Sequence, residues 1–213
     1  MVNKIEIAAL TRILKDSREY FWKINKNVIG DKLMREVFRN YPSQKLIMDV
    51  VMKVIIISET YKAIVYSYLK MAQHITKIKG LKYMISKGDL EAVDLIRFGH
   101  GIKRKKTGEE IDFYSFATKY CHWSNPRYYP IYDQYVGIAI KRTMNIPQKN
   151  LKDYKNFKNI IDEKLLNVFG GTSYKKLDEA LWIFGKFLKN QLPLEIQQAF
   201  SEKIKKLGFE FKE

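Results

Sequence analysis

The 213-residue chain contains one cysteine and three histidines. A single thiol excludes an internal disulfide framework, and without a Cys/His cluster no structural zinc site is expected. Long hydrophobic runs are also missing. The longest strongly apolar stretch, Val50 to Ile57, is interrupted by Lys53 and is too short to span a bilayer. The first residues turn polar within a few positions and show no signal-peptide pattern. The sequence is therefore expected to be a cytoplasmic protein with no membrane segment, no metal and no cofactor. Repeats and a clear linker are absent too, so one domain is expected over residues 1–213.

Acid is scarce relative to base. Lys and Arg number 39 against 23 Asp and Glu, a formal net charge of +16, beyond what solubility requires. Charge of this size attracts phosphates without regard to sequence, and with the abundant aromatics it points to a nucleic acid, DNA in the first instance. An acidic protein or an anionic membrane surface would suit the charge alone.

The dominant period is helical, and no hairpin signal interrupts it. Ile7, Leu10, Leu14, Ser17 and Phe21 follow helical spacing, with Gly30 and Asp31 expected to stop that helix and cap the next, Asp31 to Asn40. A long buried helix is expected from Ser43, carrying Leu46, Val50, Val54 and Ile57 on one face. Ser58 to Thr60 is expected to break or kink it before a second helix from Tyr61 to about Lys79. Gly88-Asp89 opens a further helix that Gly99-His-Gly101 ends. Beyond the centre, Gln134 to Asn145, Leu151 to Val168 and a segment with Leu177, Leu181, Phe184 and Leu188 read as helices. Pro193 is placed at the first turn of a last one that Gly208 closes. The fold expected is all-α, with two interleaved helical lobes and an approximate break near 80–110.

Two segments carry chemistry. The first, "GIKRKKTGEE", is a glycine-bounded basic loop whose Lys103, Arg104, Lys105 and Lys106 suit either a solvated linker or a phosphate contact. The second is "FATKYCHWSNPRYYPIYDQYV". On a helix, Phe113, Phe116, Ala117, Tyr120 and Cys121 form one buried stripe, which makes Cys121 a small core side chain. The other face holds Ser115, Lys119 and His122, each a turn apart. Asn125-Pro126 ends the helix, and Asp133 stands where the next helix needs an N-cap. Trp123, Tyr128, Tyr129 and Tyr132 crowd the intervening turn, as packing or as the wall of a pocket.

This layout of helix, aromatic turn and Asp at the head of the next helix resembles the core of the helix-hairpin-helix DNA glycosylase superfamily, its 8-oxoguanine glycosylase-fold branch in particular. "VIIISETYKAIVYSYLKMAQHI" and "LDEALWIFGKFL" are more loosely similar to other helices of that fold. In the bifunctional members a nucleophilic Lys precedes the catalytic Asp by 18 positions. Here that place is Ser115, while Asp133 matches. The resemblance therefore implies a monofunctional base-excision glycosylase, without lyase chemistry. Asp133 would stabilise the positive charge that builds on the sugar, Lys119 would be the nearby amine, and the aromatics would form the pocket for an extruded base. The family's Gly-x-Gly phosphate hairpin is replaced just ahead of Ser115 by Glu110-Ile-Asp-Phe-Tyr114. Glu110 and Asp112 would repel a phosphate, so Lys103 to Lys106, with His122, would have to supply the grip. The alternatives are a non-catalytic nucleic-acid-binding module of a larger system, such as host defence, and a helical scaffold for an acidic protein.

Overall fold

Apolar side chains recurring every three or four residues leave a chain little choice but to pack helix against helix. The computed structural model describes residues 12, 15, 20, 28–63, 65–167 and 170–206. Among them the only strand-like pairing is one antiparallel bridge, Lys103 with Glu110. The protein is all-α. The expected helix through Ile7 to Phe21, the end of another at Val168 and the stop at Gly208 involve positions outside the described residues. The chain divides into two compact units, Asn27–Tyr132 and a second that joins Met1–Lys26 to Asp133–Glu213. Residues 80–110 lie wholly inside the first.

Asn27–Tyr132 holds six helices among its described residues: α1 (Val28–Asn40), α2 (Ile47–Tyr61), α3 (Tyr68–Lys77), α4 (Leu81–Lys87), α5 (Glu91–Arg97) and α6 (Tyr114–Ser124). Gly30 and Asp31 do not separate two helices; they lie inside α1. A Cβ on Gly30 would come within 3.0 Å of Thr60 Cγ2, so this glycine permits close packing on α2 and is not a stop signal. Ser43 organises a turn ahead of α2, its Oγ accepting from the Lys45 and Leu46 amides at 3.1 and 3.0 Å. The helix itself then begins at Ile47, later than expected. It also runs unbroken through Ser58 to Thr60. Ser58 is buried and its Oγ makes no hydrogen bond among the described residues, so it does not compete with the helical ladder. The break falls instead at Lys62, in the left-handed region at φ 52°. Gly80 and Gly88, at φ 71° and 73°, bracket α4, a short helix that the sequence periodicity did not isolate. Gly88 has a second constraint, since a Cβ there would meet Tyr128 Cγ at 2.6 Å.

The second unit holds α7 (Gln134–Met144), a 3₁₀ turn (Gln148–Leu151), α8 (Tyr154–Ile160), a π-helical turn (Ile161–Leu166), α9 (Tyr174–Phe187) and α10 (Leu194–Lys206). The continuous helix expected from Leu151 is thus divided into a 3₁₀ turn, an α-helix and a π turn. Pro193 sits just ahead of α10, its carbonyl accepting from the Ile196 and Gln197 amides at 2.9 Å each. Backbones of α7 and α9 meet at Gly185, where a Cβ would lie 2.1 Å from the Tyr135 carbonyl oxygen. Phe187 packs edge-on to Phe200 at 4.7 Å between ring centres, and Phe200 meets Tyr20 at 5.4 Å.

Candidate nucleic-acid interface

The basic segment forms a tight excursion between α5 and α6. Gly108 N donates to Arg104 O at 2.9 Å and Arg104 N to Glu109 O at 2.8 Å, closing a turn around Lys105 to Thr107. Lys103, Arg104, Lys105 and Lys106 are all exposed, and none makes a side-chain hydrogen bond or ion pair among the described residues. Four cations are therefore presented to solvent within one short turn.

The two acids expected to oppose a phosphate are already engaged. Glu110 accepts from Gly101 N at 2.7 Å and Gly99 N at 3.2 Å. Burial alone would raise its pKa, but those amides, Gly101's first, hold it below the ordinary glutamate value. Asp112 receives both Nε and Nη2 of Arg97 at 2.7 Å each. Arg97 also lies over the Tyr114 ring at 4.2 Å. A Gly-His-Gly turn whose amides take a carboxylate thus stands at residues 99–101, further upstream than the segment just ahead of Ser115. The sequence signal was the pair of glycines; their positive φ values, 79° and 66°, show why both are needed. His100 between them is buried, and burial lowers its pKa. Its Nε2 donates to the Arg97 and Ile111 carbonyls while Nδ1 accepts from Ile102 N at 3.0 Å, an arrangement that suits the neutral ring.

Along α6 and the residue that precedes it the expected stripe is present: Phe113, Phe116, Ala117, Tyr120 and Cys121 are all buried, and burial raises the Cys121 thiol pKa far above its usual value. The opposite face is not solvated, however. Lys119 is 2% exposed, with its Nζ donating to Ser115 Oγ at 2.6 Å and lying 5.4 Å from the centre of the Tyr61 ring. His122 is 1% exposed and donates from Nδ1 to the Tyr129 carbonyl at 2.7 Å. Its ring ties the helix to the following turn, so the expected phosphate contact has no exposed imidazole to make it. Helix α6 is enclosed by α1, α2 and α5, which leaves only Ser115 and the terminal Ser124 partly exposed.

The four aromatic residues expected to line a pocket are held in place by neighbours in the same unit. Trp123 Nε1 donates to Tyr61 Oη at 3.0 Å, and Tyr129 Oη donates to Asp89 O at 2.9 Å. The Tyr132 ring lies tilted against Tyr114 at 4.5 Å between centres, and Tyr128 covers Gly88. A buried cation missed in the sequence lies nearby. Lys53, within the apolar face of α2, is 1% exposed, and burial, opposed by Asp49, lowers its pKa to about 8. Its Nζ donates to Ser43 O at 2.8 Å.

In the second unit Asp133 caps α7 as expected, Oδ1 accepting from Tyr135 N and Val136 N at 2.9 Å each. It has a cationic neighbour that the sequence did not reveal. The contact at Gly185 sets the adjacent Lys186 with its Nζ 4.0 Å from the Trp182 ring centre and 5.6 Å from that of Tyr135. Burial lowers the Lys186 pKa, and the Asp133 charge partly restores it. Among the described residues no group of three or more His, Cys, Asp or Glu is placed to hold a metal, and no helix is long and apolar enough to cross a membrane.

Residues 12–128 match the family described as HI_0787_N, N-terminal domain. The chain is also 34% identical over 136 residues to an uncharacterised protein of Haemophilus influenzae. That match covers 61% of this chain and 62% of the relative, under two thirds of the relative's own length. No solved structure matches the chain. The basic turn, Ser115, Lys119, His122, Trp123 and Tyr128 fall within the family match; Tyr129, Tyr132 and Asp133 follow it.

Proposed function

The chain belongs to the HI_0787_N N-terminal domain family, and we propose that it binds DNA through the Lys103 to Lys106 turn. One observation carries this reading: four exposed cations without internal partners, beside two acids whose charge is committed to the Gly99 and Gly101 amides and to Arg97. Such a turn acts on the phosphate backbone by releasing counterions, so its contribution is steeply salt-dependent and indifferent to sequence. The test is DNA affinity, by fluorescence anisotropy, across a range of salt for the natural chain and a variant with all four residues changed to Ser. The log-log salt slope should flatten by up to about four units if each cation neutralises one phosphate. An unchanged slope would place the contact elsewhere.

A finer reading makes the protein a monofunctional glycosylase of helix-hairpin-helix type. Its support is Asp133, a partly buried carboxylate whose orientation is fixed by two amides, as electrostatic stabilisation of a sugar cation requires. Ser115 cannot form a Schiff base, and Lys119 is buried against it, so excision would leave an intact abasic site. Asn caps a helix as well as Asp does. Asp133→Asn should therefore abolish base release from a panel of damaged duplexes while leaving the melting temperature unchanged. Release retained by that variant would end the catalytic reading; DNA binding with no release by the natural chain would favour the non-catalytic module.

A further inference from the structure

Outside the basic turn, the unit Asn27–Tyr132 contains a cleft of about 720 Å³. Its two walls are the segment ahead of α2, Pro42 to Lys45, and the stretch from Ile78 through the first turns of α4. The volume is that of a site for one small organic molecule.

The lining has a definite chemical character. Ile78 and Pro42 give it apolar surface over the buried Leu81, and Tyr83, 67% exposed, offers an aromatic ring. Lys45 and Lys82 also line it, both exposed and neither with an ion-pair partner among the described residues, and no acid lines it at all. Two other polar groups of the lining are ordered by the protein itself. Gln44 accepts from Tyr120 Oη and donates to Ser124 Oγ, while Ser43 Oγ accepts two amides and keeps its own proton to donate. Gly80, at φ 71°, turns the chain along the wall with nothing within 4 Å of where a Cβ would stand.

We propose that this cleft binds a small aromatic anion of mononucleotide size, its ring against Tyr83 and Ile78 and its phosphate between Lys45 and Lys82. A lining that combines apolar surface with two unpaired cations disfavours a neutral ring or an inorganic ion taken alone, since each would satisfy only half of it. The aromatic wall favours a flat ring over an alkyl chain of the same charge. The site is separate from the turn proposed to bind DNA and stands independently of that reading.

The experiment is isothermal titration of the full chain with 5′-AMP, adenosine, inorganic phosphate and decanoate. One 5′-AMP should bind per chain, with adenosine, phosphate and decanoate each weaker by about tenfold or more. Lys45→Ala and Lys82→Ala, both at exposed positions, should each weaken 5′-AMP about tenfold and leave adenosine unchanged. The variant with Ser at 103–106 should keep its 5′-AMP affinity. The proposal is overturned if 5′-AMP binds no better than its two parts, or if decanoate binds as tightly. It is equally overturned if both Lys variants, with native melting curves, keep full affinity, or if the 103–106 variant loses it.

Discussion

Two stretches of the same unit carry basic side chains, and the structure treats them in opposite ways. On α6, Lys119 and His122 are enclosed, and their polar atoms are bonded to Ser115 and to the Tyr129 carbonyl. In the turn at 103–106, four cations face water while the acids that could have neutralised them are bonded elsewhere. Charge already engaged inside a fold holds the fold together. Charge left without a partner is available to a ligand, and only the second kind can produce a salt-dependent affinity.

The widest separation between the two regions should appear in DNA binding. Neutralising 103–106 should cost affinity by orders of magnitude at low salt and leave the melting temperature nearly unchanged, whereas His122→Ala and Lys119→Ala should do the reverse. Equal salt slopes for the turn variant and the natural chain would erase the distinction.

The next effect concerns buried cations as a class and is read from pH. Burial lowers the folded-state pKa of Lys53 to about 8, from the ordinary lysine value of 10.5. Between those values the unfolded chain binds the proton and the folded chain does not, so stability rises with pH across that window. The gain should be on the order of 3 kcal/mol and should vanish in Lys53→Met. Urea titrations of the two proteins at pH 7 and pH 10 supply the comparison, and parallel pH dependence would mean that Lys53 is solvated.

Lys119→Ala should destabilise by about 2 kcal/mol through lost packing of its stem and loss of the bond to Ser115. Any single Ala substitution within 103–106 should change the unfolding free energy, from the same urea titrations, by less than about 0.5 kcal/mol. A further modest effect is at the other unit's cap. Asp133→Ala should cost about 1 kcal/mol and Asp133→Asn almost nothing, by thermal unfolding. A large loss for the Asn variant would show that the negative charge beside Lys186 matters to folding as well.

The sequence alone determined the features set by neighbours three or four positions away. Helical content followed from apolar periodicity, the buried stripe of α6 from spacing, and the capping bond of Asp133 from a short acceptor at the head of a helix. The exposure of 103–106 was legible for the same local reason, since glycines bound a polar run with no apolar face to bury. Other features depended on contacts that no local pattern encodes. Helix α6 reads as half polar, but its partners lie far off in the chain: Tyr120 is bonded to Gln44 across 76 residues and Trp123 to Tyr61 across 62. A helix surrounded on every side has no solvent face, whatever its periodicity suggests, and so Lys119 and His122 became interior groups. Gly30 reads as a helix stop, yet it lies within a helix because another helix approaches within the space a methyl group would need, and the close approach at Gly185, inside a helix the sequence did foresee, is equally invisible to local pattern. Whether Glu110 and Asp112 would repel a phosphate was also decided only in three dimensions, where Gly99, Gly101 and Arg97 come within 3.2 Å of their carboxylates.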